Sequence, residues 1–408
     1  MIKRKITYKL LRALSDSPVV LLHGARQTGK STLIKYLTET GYPAKYLTFD
    51  DTGILSAAQN NPVDFLQAYS GKLAIDEVQK VPEIFPAIKS VVDKNRKAGR
   101  FILTGSSNVL LLPKISESLA GRIEILNLFP LSQSEITGAE KNFVDEIFKR
   151  NYPLPHVTGK GNDLIKRITT GGFPEMLTRK SKERQSAWFN SYITTILQRD
   201  VRDISNIEKL SEMPNLLKLF ASRAGTLLNF AEFSRSSAIP QTTFKRYTSL
   251  FEAIFMIHLL PAWSVNISKR LIKAPKLYLS DTGLLSHLTA FDAGKKKLEP
   301  MLWGRVLENF VLLELVKQAS WSRQFISLYH FRTTSGREVD FVMERNDGTL
   351  IGIEVKASAD ININAFKHLK VLAEQTGKKF LRGIVFYTGK DPILFAKNLL
   401  ALPVNVLW

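Results

Sequence analysis

The 408-residue sequence contains no cysteine, which excludes a disulfide framework, a thiol nucleophile and any cysteine-ligated zinc or iron–sulfur centre. Histidine is scarce too. His23, His156, His258, His287, His330 and His368 are scattered, and no pair has the spacing of a helical zinc motif. No apolar run approaches the ~20 residues needed to cross a bilayer. The basic amino-terminal stretch passes through the short run VVLL straight into a glycine loop, unlike a signal peptide or anchor. The expectation is a soluble, cytoplasmic protein without a membrane partner. Acidic residues are the other shortfall, 37 against 57 Lys and Arg, for a formal net charge of +20. Such an excess points to a polyanionic partner or to a well-solvated basic surface. Hydrophobic residues at 44% and charged residues at 23% exclude a mostly disordered chain, and the length implies two or three domains. The charge is uneven, with +11 of the excess between residues 141 and 300.

What is present begins with an apolar run, Val19–Leu22, followed by Gly24-Ala25-Arg26-Gln27-Thr28-Gly29-Lys30-Ser31-Thr32 and an amphipathic stretch that stops at Gly41. This is G-x-x-x-x-G-K-[ST] between a strand and a helix, the setting in which backbone N–H groups cradle a phosphate at a helix N-terminus. Lys30 is expected to reach the β/γ-phosphates of ATP, and Ser31 to offer its hydroxyl to Mg²⁺. A second apolar strand ends in Asp76-Glu77. Asp76 suits the Mg²⁺ shell, and Glu77 suits polarisation of the attacking water. A third strand runs into Ser106, Ser107 and Asn108, each able to sense a γ-phosphate, and the residue types do not choose among them. Arg122 precedes a further strand, either as a finger reaching the nucleotide of a neighbouring subunit or as a surface arginine in a turn. The finger role calls for a homo-oligomer.

The segments GARQTGKST, LAIDEVQKVP, LTGSS, SLAGRIEILNLFPLS and GGFPE together resemble AAA+-type ATPases of a large prokaryotic family. In that family the ATPase module precedes a carboxy-terminal domain left unassigned or likened to Holliday junction resolvases. The resemblance spans essentially the whole chain. It implies that Gly172-Phe173-Pro174 is a Gly-x-Pro element packing near adenine; on residues alone, the segment is a turn.

Residues 141–204 read as helices forming a lid, and Arg199, Asp200, Arg202 and Asp203 crowd the last of them as ion pairs or nucleotide sensors. Next come Leu216–Ala224, a helix starting near Asn229, and Gln241–Phe251. In the third helix Phe244, Tyr247, Leu250 and Phe251 share one face, leaving Gln241, Thr242, Lys245 and Arg246 on the other. The strand-like IHLLPAW and PKLYLS follow, with Lys269, Arg270 and Lys273 between them as a basic wing. This is the pattern of a winged helix, used either on DNA or as a protein-contact module. On DNA, Lys245, Arg246 and the wing would neutralise phosphates while Gln241 and Thr242 reach base edges.

Gly304–Leu315 reads as a strongly amphipathic helix bearing Glu308. Two alternating strands follow, joined by an Asp347-Gly348 turn. Period-2 spacing groups Asp340 with Val342 and Glu344, and Gly352 with Glu354 and Lys356. A carboxylate facing Glu-x-Lys can bind Mg²⁺ or Mn²⁺ at a phosphodiester, with Lys356 orienting water; the same side chains can also form an ion-pair ladder. The arrangement resembles the PD-(D/E)XK nuclease fold, with Val339-Asp340 in place of Pro-Asp. The resemblance implies metal-site roles for Asp340, Glu354 and Lys356, with Glu308 completing the shell.

The expected fold class is α/β. It comprises a P-loop NTPase parallel sheet of AAA+ type (1–140), a helical lid (141–204), a winged-helix-like segment (205–295) and a smaller restriction-endonuclease-like domain (296–408). The expected function is Mg²⁺-dependent ATP hydrolysis coupled to DNA binding, remodelling or cleavage, with branched DNA as a candidate. The alternative is an ATP-driven switch of signalling or defence type whose carboxy-terminal domain only recognises DNA or a protein. A third reading is a DNA-binding ATPase without nuclease activity.

Overall fold

Apolar runs bounded by turns build two units in the computed structural model, which describes residues 2–106, 119–155, 163–200 and 210–408. One unit comprises Met1–Leu131, Phe173–Glu175 and Ala253–Phe255; the other comprises Ser132–Gly172, Met176–Glu252 and Met256–Trp408.

In the first unit, β1 (Val19–His23), β2 (Lys45–Thr48), β3 (Leu73–Asp76), β4 (Phe101–Gly105) and β5 (Ile123–Asn127) form a parallel sheet in the order β2-β3-β4-β1-β5. Strands β1, β3 and β4 are buried along their length, which is why they read as continuous rather than alternating apolar runs. Phe49, Phe65, Phe85 and Phe101 anchor the core with Leu73, Ile75 and Ile88. Each such side chain contributes about 1.5–3 kcal/mol on burial. The pairings Ile75↔Leu103, Leu22↔Thr104 and His23↔Gly105 align the carboxyl ends of β3, β4 and β1 at one edge, where parallel α/β sheets bind ligands.

The second unit holds a small antiparallel sheet, β6 (Thr226–Leu227), β7 (Ile257–Leu260) and β8 (Lys276–Leu279), in the order β6-β8-β7. Helices Met213–Ser222, Phe230–Ser237 and Gln241–Ala253 pack on one another through Phe220, Phe233, Phe244 and Phe251. A short helix, Ile267–Ile272, lies between β7 and β8. Residues 143–200 include helices Phe143–Ile147, Leu164–Thr170, Pro174–Thr178 and Lys182–Thr195, the last running into a π-helical turn, Ile196–Asp200. Arg199 is exposed; Arg202, Asp203 and the side chain of Asp200 lie outside the described residues.

A six-stranded sheet completes this unit: β9 (Ile326–Arg332), β10 (Glu338–Arg345), β11 (Leu350–Lys356), β12 (Phe380–Tyr387), β13 (Ile393–Ala396) and β14 (Leu399–Pro403), in the order β13-β14-β12-β11-β10-β9. Pairs β9/β10, β10/β11 and β13/β14 are antiparallel; β11/β12 and β12/β14 are parallel. Gly352 lets the helix Lys367–Thr376 approach, because a Cβ there would lie 2.7 Å from Leu369 Cδ2. A bridge from Ala262 to His330, with Trp263 N–H donating to His330 O at 2.6 Å, joins the end of β7 to β9.

The helix Pro300–Ser320 corrects one expectation. It is buried nearly all round from Val306 to Gln318, with no solvent face over that stretch. Its polar residues have internal partners. Asn309 exchanges two hydrogen bonds with the Leu279 backbone, at 2.9 and 3.0 Å, Glu314 pairs with Lys317 at 3.0 Å, and Gln318 donates to Leu407 O at 2.7 Å.

Candidate functional sites

The loop Gly24–Gly29 curls because three of its residues take left-handed backbone angles: Gly24 (φ 155°), Gln27 (φ 60°) and Gly29 (φ 91°). At Gly24 a Cβ would stand 2.2 Å from the carbonyl oxygen of Leu128, so only glycine fits. Gly29 is the N-cap of Lys30–Thr40, which puts the positive end of that helix at the loop. Lys30 is buried, its ammonium donating to Gly24 O at 2.9 Å and Ala25 O at 2.8 Å. These are weaker acceptors than phosphate oxygens. Thr28 is buried and donates to Ala25 O at 2.9 Å; Ser31 is half-buried on the first turn, with Arg26 partly and Gln27 and Thr32 fully on the surface.

Asp76 ends β3 and is 2% exposed. Tyr46 OH donates to one of its carboxylate oxygens at 2.7 Å, and Thr104 Oγ1 donates to the other. Burial and the adjacent Asp76 push the Tyr46 phenol upward. Glu77, in left-handed backbone (φ 59°), turns its carboxylate to Ser106 Oγ at 3.2 Å and to the Gln79 amide. Asp76, Glu77, Thr104 and Ser106 thus form one connected polar group beside β4. Of the three γ-phosphate sensor candidates, Ser106 meets Glu77, while Ser107 and Asn108 lie outside the described residues. Metal-fit at this edge rests on an oxygen-only donor set, the Ser31 hydroxyl and the Asp76 carboxylate, which suits Mg²⁺.

Arg122 is engaged within its own chain, 2.5 Å from Asp93 and donating to Ala120 O at 3.0 Å. That guanidinium holds the Asp93 carboxyl below its ordinary value. Pro174 opens the helix Pro174–Thr178, and Phe173–Glu175 group with the parallel-sheet unit.

In the second unit, the expected face of Gln241–Ala253 is present. Phe244, Tyr247, Leu250 and Phe251 are buried, and Gln241, Thr242, Lys245 and Arg246 are exposed. The basic-wing expectation is corrected at Arg270. Arg270 is held bidentately by Glu344 at 2.5 and 3.1 Å, with Trp263 and Tyr329 rings 5.2 and 5.1 Å away. Lys273 donates to Arg332 O at 3.1 Å. Ion pairing and aromatic packing take up the Arg270 cation, whereas the Lys273 bond is to a neutral carbonyl at the surface. The Lys269 side chain lies outside the described residues.

The carboxy-terminal residues do converge. The register Phe341↔Ile353 and Val342↔Gly352 carries Asp340 towards Glu354, and Asp340 accepts from Val355 N–H at 2.8 Å. Glu354 pairs with Lys356 at 2.7 Å. Burial and the nearby Asp340 charge push Glu354 up to about 8 and Glu308 up to about 7. A fifth residue, absent from the sequence expectation, stands among them. Lys276 Nζ lies 2.9 Å from Glu308 Oε1, 2.5 Å from Glu338 Oε1 and 3.6 Å from Asp340 Oδ1. Tyr278 OH adds a bond to Glu308 at 2.7 Å. The donor set therefore does not fit Mg²⁺ or Mn²⁺: an ammonium already sits against Glu308 and Asp340. Among the described residues, no group of three or more His, Asp or Glu side chains is placed to hold a metal ion. The carboxylates expected to hold a metal, Glu308 and Asp340, thus meet the ammonium of Lys276, and Glu354 meets that of Lys356.

Arg4 was also missed. It is buried, and its guanidinium donates to Thr28 O and Phe129 O, both at 2.7 Å, bracing the phosphate loop. The signal available was slight, one of three consecutive basic residues, Lys3-Arg4-Lys5, before an amphipathic helix. Among the described residues, no helix is long and apolar enough to cross a membrane.

Comparison with known proteins agrees with the first of these sites. Residues 16–137 match the model described as an AAA domain, and residues 161–295 and 303–407 match domains of unknown function DUF8612 and DUF4143. The uncharacterized protein Rv2008c of Mycobacterium tuberculosis is 31% identical over 406 residues, covering 99% of this chain and 84% of that protein. The uncharacterized protein MJ1544 of Methanocaldococcus jannaschii is 26% identical over 366 residues, covering 86% and 77%. Among solved structures, the Thermotoga maritima RuvB Holliday junction branch migration motor is 16% identical, with a TM-score of 0.29 over 64% of this chain and 90% of that one. The match on the parallel sheet marks this chain as an AAA-type ATPase, and 31% identity over nearly its whole length makes it a member of the family of Rv2008c.

Proposed function

We propose that this protein couples Mg²⁺-dependent ATP hydrolysis to the binding and remodelling of DNA. Lys30 and the loop amides hold the phosphates. Ser31 and Asp76 would hold Mg²⁺, which would supply charge neutralisation to the bound phosphates. Glu77 orients and polarises water, with Ser106 and Gln79 restraining its carboxylate. Pro174 contributes to the adenine side, in keeping with the grouping of Phe173–Glu175 with the nucleotide-binding unit. Arg122 acts on a neighbouring copy in a homo-oligomer, leaving an exposed pair with Asp93 that contributes little to stability.

One observation carries the DNA reading. The helix Gln241–Ala253 buries its aromatic face and presents Gln241, Thr242, Lys245 and Arg246 outward, beside helices and a three-stranded sheet in winged-helix-like order. Cleavage is left out of the proposal, because Lys276 stands against the carboxylates a nuclease metal would need. The test is fluorescence-anisotropy binding of duplex, single-stranded and four-way DNA across a salt series, with and without ATP. Affinity is expected to fall steeply with salt, and Lys245→Ala/Arg246→Ala to reduce the slope by about two. Absence of binding at low salt on every substrate would shift the reading to an ATP-driven switch.

A further inference from the structure

We infer that the ammonium of Lys276 is the resident cation of the carboxy-terminal carboxylate cluster, occupying the place of a divalent metal and tying three elements together. This inference is independent of the DNA reading above. Lys276 and Tyr278 alternate onto one face of β8, with Leu277 and Leu279 on the other, and both reach Glu308 on the helix Pro300–Ser320. The same ammonium meets Glu338 and Asp340 on β10. Its side chain is 2% exposed, so water does not screen these contacts and does not compete for them.

The partners are closely matched in number. Glu308 has Lys276 and Tyr278; Glu338 has Lys276 and Arg332, the latter at 3.1 Å. Asp340 has Lys276 and the Val355 amide, and Glu354 has Lys356. One buried oxygen, Glu354 Oε1, has no hydrogen-bond partner and faces His368 Nδ1 at 3.7 Å. A divalent ion demands several oxygens at roughly 2.0–2.6 Å. It cannot share Glu308 and Asp340 with an ammonium that is already within 2.9 and 3.6 Å of them. The lysine also makes the cluster a joint, because it enters from the three-stranded sheet while the carboxylates belong to the helix and the six-stranded sheet. Removing one member of a buried ionic group leaves the others unpaired, so the joint holds only with the cation in place.

The experiment counts Mn²⁺ bound to nucleotide-free full-length protein by electron paramagnetic resonance, in the wild type, Asp340→Asn, Lys276→Met and the double variant. Wild type and Asp340→Asn are expected to bind the same number of ions, because no ion sits on the cluster. Lys276→Met is expected to gain one ion, which the double variant loses. A wild-type ion that disappears in Asp340→Asn overturns the inference. So does a folded Lys276→Met protein with no added ion. If Lys276→Met fails to fold, the comparison of wild type with Asp340→Asn still decides the matter.

Discussion

Replacing Arg4 by methionine removes the brace behind the phosphate loop while keeping a stem of similar length. Arg4 is 7% exposed, and its guanidinium donates to Thr28 O and Phe129 O, both at 2.7 Å. Hydrogen bonds from a charged donor contribute about 1.5–3 kcal/mol each, so losing both costs the amino-terminal unit about 3–6 kcal/mol. With a urea slope near ~2 kcal/mol/M, the midpoint of that unit's transition should fall by at least about 1.5 M. Urea unfolding followed by circular dichroism reads this directly. A fluorescent ATP analogue reads the loop itself: an unbraced loop pays its ordering on binding, and a cost of 1.4 kcal/mol already weakens affinity about tenfold. Arg4→Lys should fall between, since one ammonium lacks the fork that spans both carbonyls. A midpoint shift below about 0.3 M in Arg4→Met, with affinity within twofold of wild type, would refute the reasoning.

Two further outcomes follow from the same geometry. Gly24→Ala places a Cβ 2.2 Å from Leu128 O at φ 155°, so it should cost at least ~1–3 kcal/mol in strain and abolish nucleotide binding, measured by the same fluorescence titration. Burial pushes the His23 and His330 imidazoles down to about 4, with Lys30 and Lys276 respectively adding to the effect. Both are neutral when folded and take a proton near 6.5 when unfolded, so stability is full above pH 6.5 and falls as pH drops towards 4. The loss is up to about 3 kcal/mol per histidine. Because the raised Glu308 and Glu354 carboxyls act in the opposite sense over the same range, chemical denaturation at stepped pH reads the histidines by difference: the acid-side loss should be smaller in His23→Gln and His330→Gln than in the wild type, and variant profiles parallel to the wild type's would contradict the assignment.

The nucleotide site was legible because its chemistry is local: Gly24 to Ser31 is one uninterrupted loop, and Asp76-Glu77 ends an apolar run. The brace was not, since Arg4 meets Thr28 and Phe129, 24 and 125 residues away. Lys276 was hidden for a related reason. A lysine at the start of the strand-like PKLYLS reads as an exposed edge charge, and its partners lie on two later elements. Gly304–Leu315, within the helix Pro300–Ser320, was misread as amphipathic because polar residues such as Glu308, Asn309 and Glu314 interrupt its apolar positions, and polarity ordinarily means solvent. Here Asn309, Glu314 and Gln318 meet the Leu279 backbone, the Gln133 N–H and Leu407 O, and Lys317 pairs with Glu314 one turn away on the same helix. Arg270 shows the same limit in reverse, a cation that looked available to phosphate but is taken up by Glu344.

Phosphate release from ATP by the purified chain, with and without Mg²⁺, in the wild type and Lys30→Ala, tests the central claim most directly. The account predicts Mg²⁺-dependent turnover in the wild type and none in the variant, because the ammonium resting on Gly24 O and Ala25 O is the one that must reach the β/γ-phosphates. Turnover by Lys30→Ala at the wild-type rate would contradict it.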